Sequence, residues 1–185
     1  MRLQGAFITL ILVLVGLFLA ASSSLGLPLG YGVPEFWLGI VVLVGGSIWF
    51  GGWGVIAAAL FPFLSSLLIQ LDLVHSLAVI PGNVLEGLIP AYAFRSMAAD
   101  PALRDARSVR VYVLWSTLIP SLLGGLVTSS LWILIGDADW HTVALLGFDW
   151  AVSNSVVLIV VGFPMLYILT PHLRERHWLV RGWWS

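Results

Sequence analysis

Long apolar runs separated by short polar punctuation organise this chain, and their lengths are those of membrane-crossing helices. The first run covers 5–21, behind Arg2 and ahead of Ser22-Ser23-Ser24. Its Ala-Ala-Ser end also fits a cleavable signal peptide, but its retention favours an anchor. A Gly- and Pro-rich stretch, 25–35 with Tyr31, leads to a second run over 36–50. Gly51-Gly52-Trp53-Gly54 predicts a tight turn, and a third run over 55–71 completes a helical hairpin. The segment 72–78, with His75, reads as a loop before a fourth run over 79–94 that contains Asn83, Glu86 and Pro90. Between Arg95 and Arg110 the pattern turns strongly charged, and Asp100-Pro101 reads as an N-cap followed by proline at N1, predicting a short interfacial helix. A fifth run covers 111–135 and a sixth 144–170, with Asp137, Asp139, Trp140 and His141 between them and Pro171 as a stop. The prediction is an all-α integral membrane bundle of six transmembrane helices, one domain over 1–185.

Composition agrees. Of 185 residues 60% are hydrophobic and 9% charged, where a soluble domain carries roughly 25% charge. The basic residues number 8, all arginine, against 9 acidic ones, a net charge of -1 that leaves no nucleic-acid footprint. Without cysteine there is no disulfide or thiolate metal site, and without lysine neither a retinal-type Schiff base nor a Walker A loop. Charge also sets direction. With six spans, Arg2, Arg95, Arg104, Arg107, Arg110, Arg174, Arg176 and Arg181 all fall on one face, which the positive-inside rule makes cytoplasmic, together with both termini. The outer face carries Glu35, Asp72, His75, Asp137, Asp139 and His141. Trp178, Trp183 and Trp184, interleaved with arginines, read as a C-terminal interface anchor.

Two carboxylates remain inside the membrane, Glu86 and Asp149, and a carboxylate there costs several kcal/mol unless it is paired, hydrated or used. Counted from the predicted outer ends of their helices, they lie about 10 Å and about 8 Å deep at a rise of roughly 1.5 Å per residue. Asn83 precedes Glu86 by one turn and Asn154 follows Trp150 by one turn, so each helix can aim a polar pair along one face. The expected site is an outward-facing pocket lined by Asn83, Glu86, Asp149, Trp150 and Asn154, closed from above by Trp132, His75, Trp140 and His141. Helix–helix hydrogen bonds, or for Asp149 an interfacial position, would equally satisfy these groups. Nothing in the ligand spacing supports a metal, and no cofactor is expected. There is no HExxH, GxSxG or paired-glutamate protease motif, so the sequence predicts no enzyme. An acidic, aromatic lining favours a cationic or donor-rich small molecule.

The stretch from Ser47 to Ser66, centred on Trp49-Phe-Gly-Gly-Trp-Gly54, resembles the second-to-third helix hairpin of the substrate-binding S components of energy-coupling factor transporters. Pro81-Gly-Asn-Val-Leu-Glu-Gly-Leu-Ile-Pro-Ala-Tyr-Ala-Phe-Arg95 is similar to their fourth helix. This resemblance implies a multi-pass protein of a prokaryotic plasma membrane that captures a vitamin or micronutrient from outside. Its implied partners are a transmembrane scaffold subunit and two cytoplasmic ATPases. It also implies a lid in the first loop, with Tyr31, and scaffold docking through small residues of the first helix, here Gly16 and Ala20. A second resemblance is to MASE1-type sensory membrane domains, through Gly82-Asn-Val-Leu-Glu86 and Tyr92. In that family the membrane domain precedes a kinase or cyclase, which implies a stand-alone sensor or a piece of a longer one.

Overall fold

The computed structural model describes residues 2–23, 28–29, 33–34, 36–136 and 139–184. Six helical stretches run through them. The first four are α1 (Arg2–Ser23), α2 (Gly39–Phe50), α3 (Gly52–Leu68) and α4 (Leu73–Ser96). The fifth consists of α5 (Ala106–Tyr112), a π-helical segment over Val113–Leu118 and α6 (Ile119–Leu134). The sixth consists of α7 (Trp140–Val157), a π-helical segment over Leu158–Gly162 and α8 (Phe163–Glu175). Between α1 and α2, Pro28–Leu29 pairs antiparallel with Val33–Pro34. Leu3–Ser23, Leu73–Ser96, Ala106–Leu134 and Val143–Glu175 are long and apolar enough to cross a membrane, while α2 and α3 are shorter. The molecule is a helical membrane bundle.

Its centre is α2. All of Gly39–Phe50 is buried, as suits a helix that is apolar on every side. Around it pack α1, α3 and α4, and Ile40, Leu43, Val44, Phe61 and Phe94 form the core with Tyr112, Leu158 and Leu166 from the later spans. Outer faces are apolar as well, with Leu3, Phe7, Leu10, Leu14 and Phe18 exposed along α1. The inward face of α1 sets the small residues Gly5, Gly16 and Ala20 among Thr9, Leu12 and Val13. A Cβ on Gly16 would come within 2.7 Å of the Phe61 ring, and one on Gly5 within 2.0 Å of Trp53. Gly16 and Ala20 are therefore buried within this chain's own bundle.

Prolines explain the two π segments. Pro120 and Pro164 each follow a π segment by one residue, at the second position of α6 and α8. Proline has no N–H, and its ring crowds the carbonyl four residues back. The residue before each proline bonds five residues back: Ile119 N–H to the Leu114 carbonyl, Phe163 N–H to the Leu158 carbonyl. The kink expected at a proline is thus spread over a widened turn. The two segments meet where the Tyr112 hydroxyl donates to the Leu158 carbonyl at 2.7 Å, under Gly162, where a Cβ would sit 2.6 Å from that hydroxyl.

Several boundaries differ from those the sequence predicts. The expected loop at 72–78 is the first turn and a half of α4, because Asp72 is a helix cap whose Oδ1 accepts from the amides of Val74 (2.9 Å) and His75 (3.2 Å). His75 is therefore a helical residue. The same holds for Trp140 and His141, which open α7. No separate interfacial helix forms around Asp100-Pro101. Asp100 caps a turn, accepting from the Ala102 amide at 3.1 Å, while Asp105 is the true N-cap that starts α5. Ser108 gives Asp105 both its amide (2.9 Å) and its hydroxyl (2.7 Å), which holds that carboxyl below its ordinary range. Pro171 does not stop the last helix, which continues to Glu175.

The C-terminal segment is a strap. After α8 it folds back under the α2–α3 turn: Val180 N–H reaches the Trp49 carbonyl at 2.9 Å, and Gly52 N–H reaches the Trp183 carbonyl at 2.8 Å. Gly51 takes φ 59° here, and a Cβ on it would meet the Trp183 carbonyl at 2.8 Å, so glycine suits both the turn and the crossing strap. Arg95 staples the strap, donating to the carbonyls of Gly182 (2.8 Å) and Val180 (3.3 Å) and of its own helix at Ala91 (3.0 Å), with its charge 5.5 Å from the Trp183 ring centre. Trp53 and Trp184 meet edge to face at 5.2 Å. Trp183 is half-buried against the bundle's end, while Trp184 touches Trp53 but stays exposed, as does Trp178. The strap, the turn at Gly51, the end of α4 and the start of α1 share one end of the molecule, which brings both termini together.

Candidate functional site

Glu86 is completely buried, at 0% exposure, where α4 meets α6 and α7. Its Oε1 accepts two hydrogen bonds from α7, from Trp150 Nε1 at 2.9 Å and Asn154 Nδ2 at 2.7 Å. Trp150 and Asn154 are one turn apart, so one face of α7 delivers both. Glycines make this approach possible. A Cβ on Gly124 would stand 2.7 Å from Glu86 Cγ, and one on Gly82 would stand 2.2 Å from Thr128 Oγ1 and 2.5 Å from the Gly124 carbonyl oxygen. On the far side of α6, a Cβ on Gly125 would meet Trp150 Cβ at 2.9 Å. The three helices close on the carboxylate through small residues, as membrane helices do where backbones approach.

Beside Glu86 lies Asn83, 2% exposed, whose Nδ2 donates to the Val79 carbonyl at 2.8 Å. Glu86 Oε2, Asn83 Oδ1 and Thr128 Oγ1 are all buried and make no hydrogen bond among the described residues. Each such group carries a desolvation cost of about 1–3 kcal/mol, more when charged. Pro90, which has no N–H, also leaves the Glu86 carbonyl without the usual helical donor. Two open acceptors, Glu86 Oε2 and Asn83 Oδ1, thus stand beside a hydroxyl that can donate or accept, and the buried donor Trp132 Nε1 is likewise unpartnered. The chemical complement of the two acceptors is a cation or a group rich in N–H and O–H.

One turn outward, Val79, Trp132 and Leu146 form a small apolar cluster over this layer. Another turn out, the His75 ring lies 6.3 Å from that of Trp132 and pairs through Nδ1 with Asp72 Oδ2. The His75 amide and side chain hold the Asp72 carboxyl below its ordinary range. Trp132 and His75 thus stack outward of the layer, and Glu86 and Asn83 are enclosed in the bundle instead of lining an open pocket.

Other expectations fail. Asp149 is exposed on α7, because its neighbour Trp150 points at Glu86 and adjacent helical residues diverge by about 100°. Trp140 is 75% exposed and His141 is exposed, so neither covers the site. Tyr31, most of the proposed lid, Glu35 and Asp137 lie outside the described residues. Depth changes too. Since α4 begins at Leu73, Glu86 lies about 20 Å along it, and Asn154 about 20 Å along α7 from Trp140, at about 1.5 Å per residue. The layer sits near mid-bundle, not in the outer third. Thr128 and the Gly82–Gly124 crossing were missed as site residues, although Gly124-Gly125 followed four residues later by Thr128-Ser129 is a small-residue pattern legible in the sequence. Among the described residues no three His, Cys, Asp or Glu gather as a metal site. Comparison with protein-family models, curated proteins and solved structures finds no match.

Proposed function

We propose that this protein binds a small cationic or donor-rich solute inside the membrane, with Glu86 as the principal acceptor. The observation that carries this reading is the fully buried Glu86, whose Oε1 is fixed by Trp150 and Asn154 while Oε2 stays unpartnered beside the open acceptor of Asn83 and the unpartnered hydroxyl of Thr128. A carboxylate kept at such depth is costly unless it is used. Fixing one oxygen with two donors orients the other, which is preorganisation for a ligand. Enclosure of Glu86 and Asn83 in the bundle fits an occluded site that opens by movement of α6 or α7 against α4.

The resemblance of the α2–α3 hairpin and of α4 to S components supports placing this binding in solute uptake, with a scaffold subunit and ATPases supplying the energy. No catalytic role is proposed for any residue. Native mass spectrometry of the protein purified from its membrane is expected to reveal a bound small cation, and Glu86→Gln to lose it. Gln is isosteric and keeps an oxygen for Trp150 and Asn154, so the variant should fold. Losing a charged hydrogen bond of about 1.5–3 kcal/mol corresponds to binding weaker by roughly 10–100-fold. Unchanged binding in a folded Glu86→Gln protein would sink the assignment. Co-purification with a scaffold and ATPases tests the transport reading; capture of a kinase or cyclase instead would favour the sensory one.

A further inference from the structure

At the arginine-bearing end a cleft of about 440 Å³ lies between the end of α4 and the start of the fifth span. Met97, Val111, Leu114 and Trp115 wall it, and Arg107 and Arg110 flank it. The two arginines are three residues apart on α5, hence on one face, and both are exposed. Arg110 uses Nε on the Ala106 carbonyl at 3.2 Å, and neither guanidinium forms an ion pair among the described residues. Asp105, the nearby carboxylate, accepts both hydrogen bonds of Ser108 and also attracts Arg107, short of an ion pair.

The apolar wall has a structural cause. In the π segment the adjacent Leu114 and Trp115 both face outward, at 47% and 37% exposure, while Ser116 and Thr117 face inward. Apolar side chains on the hydrocarbon side and two cations on the aqueous side, with a tryptophan at the boundary, match the two ends of a phospholipid. We propose that this cleft binds an anionic phospholipid of the leaflet on the arginine side. Arg107 and Arg110 hold its phosphate, and an acyl chain lies along Leu114 and Trp115. The exposed apolar wall of Leu114 and Trp115 beside the two arginines commits the site to a lipid over a free anion.

The test is native mass spectrometry of the full chain released from bilayers containing equal phosphatidylglycerol and phosphatidylcholine. Wild type should retain phosphatidylglycerol in preference, and the Arg107→Gln/Arg110→Gln double variant should lose roughly tenfold of that preference. Arg107→Lys/Arg110→Lys should keep most of it, and Arg176→Gln, exposed and outside the cleft, should keep all of it. Equal retention of both lipids by wild type overturns the proposal. So does an equal loss in Arg176→Gln, which would mean general basicity, or displacement of the lipid by inorganic phosphate, which would mean a free-anion site. Wild-type preference alone decides the first outcome even if the double variant fails to fold.

Discussion

Glu86 shows how one residue's chemistry depends on what its neighbours lack. It can be buried because Gly82 and Gly124 remove the side chains that would hold α4 and α6 apart. Gly82→Ala should therefore be harmful out of proportion to one methyl group, since the new Cβ would meet the Gly124 backbone carbonyl at 2.5 Å, and backbone does not yield as a flexible side chain does. Overpacking of this kind costs typically 1–3 kcal/mol. A lower midpoint in a detergent thermal melt, with less solute retained, is the expected result; an unchanged melt would show that the helices separate freely. Asp149 and Trp150 teach the converse. The sequence marks both as polar groups at one depth, but only the direction of each Cα–Cβ bond separates the residue that reaches Glu86 from the one that faces out.

At the scale of elements, punctuation was legible where it acts locally. The hairpin turn was visible as the glycines at 51–54, although it narrows to Gly51 because α3 starts at Gly52, and the mid-span prolines at 120 and 164 were visible as residues. What they did was less so: the prolines widen a turn instead of breaking the helix, because the preceding amide finds a carbonyl five residues back. Asp72 before Leu-Val-His was a readable N-cap that apolar-run counting overlooked. The strap was unreadable, since its anchor, Arg95, lies more than eighty residues away in sequence. Arg95→Gln should free it. Lost charged hydrogen bonds and a cation–π contact amount to roughly 2–4 kcal/mol, so residues 178–184 should exchange amide hydrogens faster and be cut sooner by protease. Unaltered protection would mean that the tryptophan contacts hold the strap without Arg95.

For the whole molecule, charge distribution and packing agree. The Arg95–Gly182, Arg104–Tyr167 and Arg174–Asp100 contacts gather distant arginines at the end where the strap docks. The positive-inside rule predicts that this end faces the cytoplasm. Reporter fusions at both termini are expected to read as cytoplasmic, and fusions in the 69–71 turn as external; a terminus outside would refute six spans.

The amino-acid sequence by itself determined the helical membrane class, the number of helical stretches and the arginine-rich end, because apolar run length and charge are properties of each segment alone. It also singled out Glu86, since a carboxylate inside an apolar run is conspicuous wherever the helix packs. Tertiary structure decided which neighbours Glu86 has, how deep it sits and that Asp149 and Trp140 are not among them. The physical reason is that lipid is as apolar as the protein core, so a membrane helix such as α7 carries little amphipathic signal to say which face turns inward. That choice is made by shape, through the glycines that let α4, α6 and α7 close around one carboxylate.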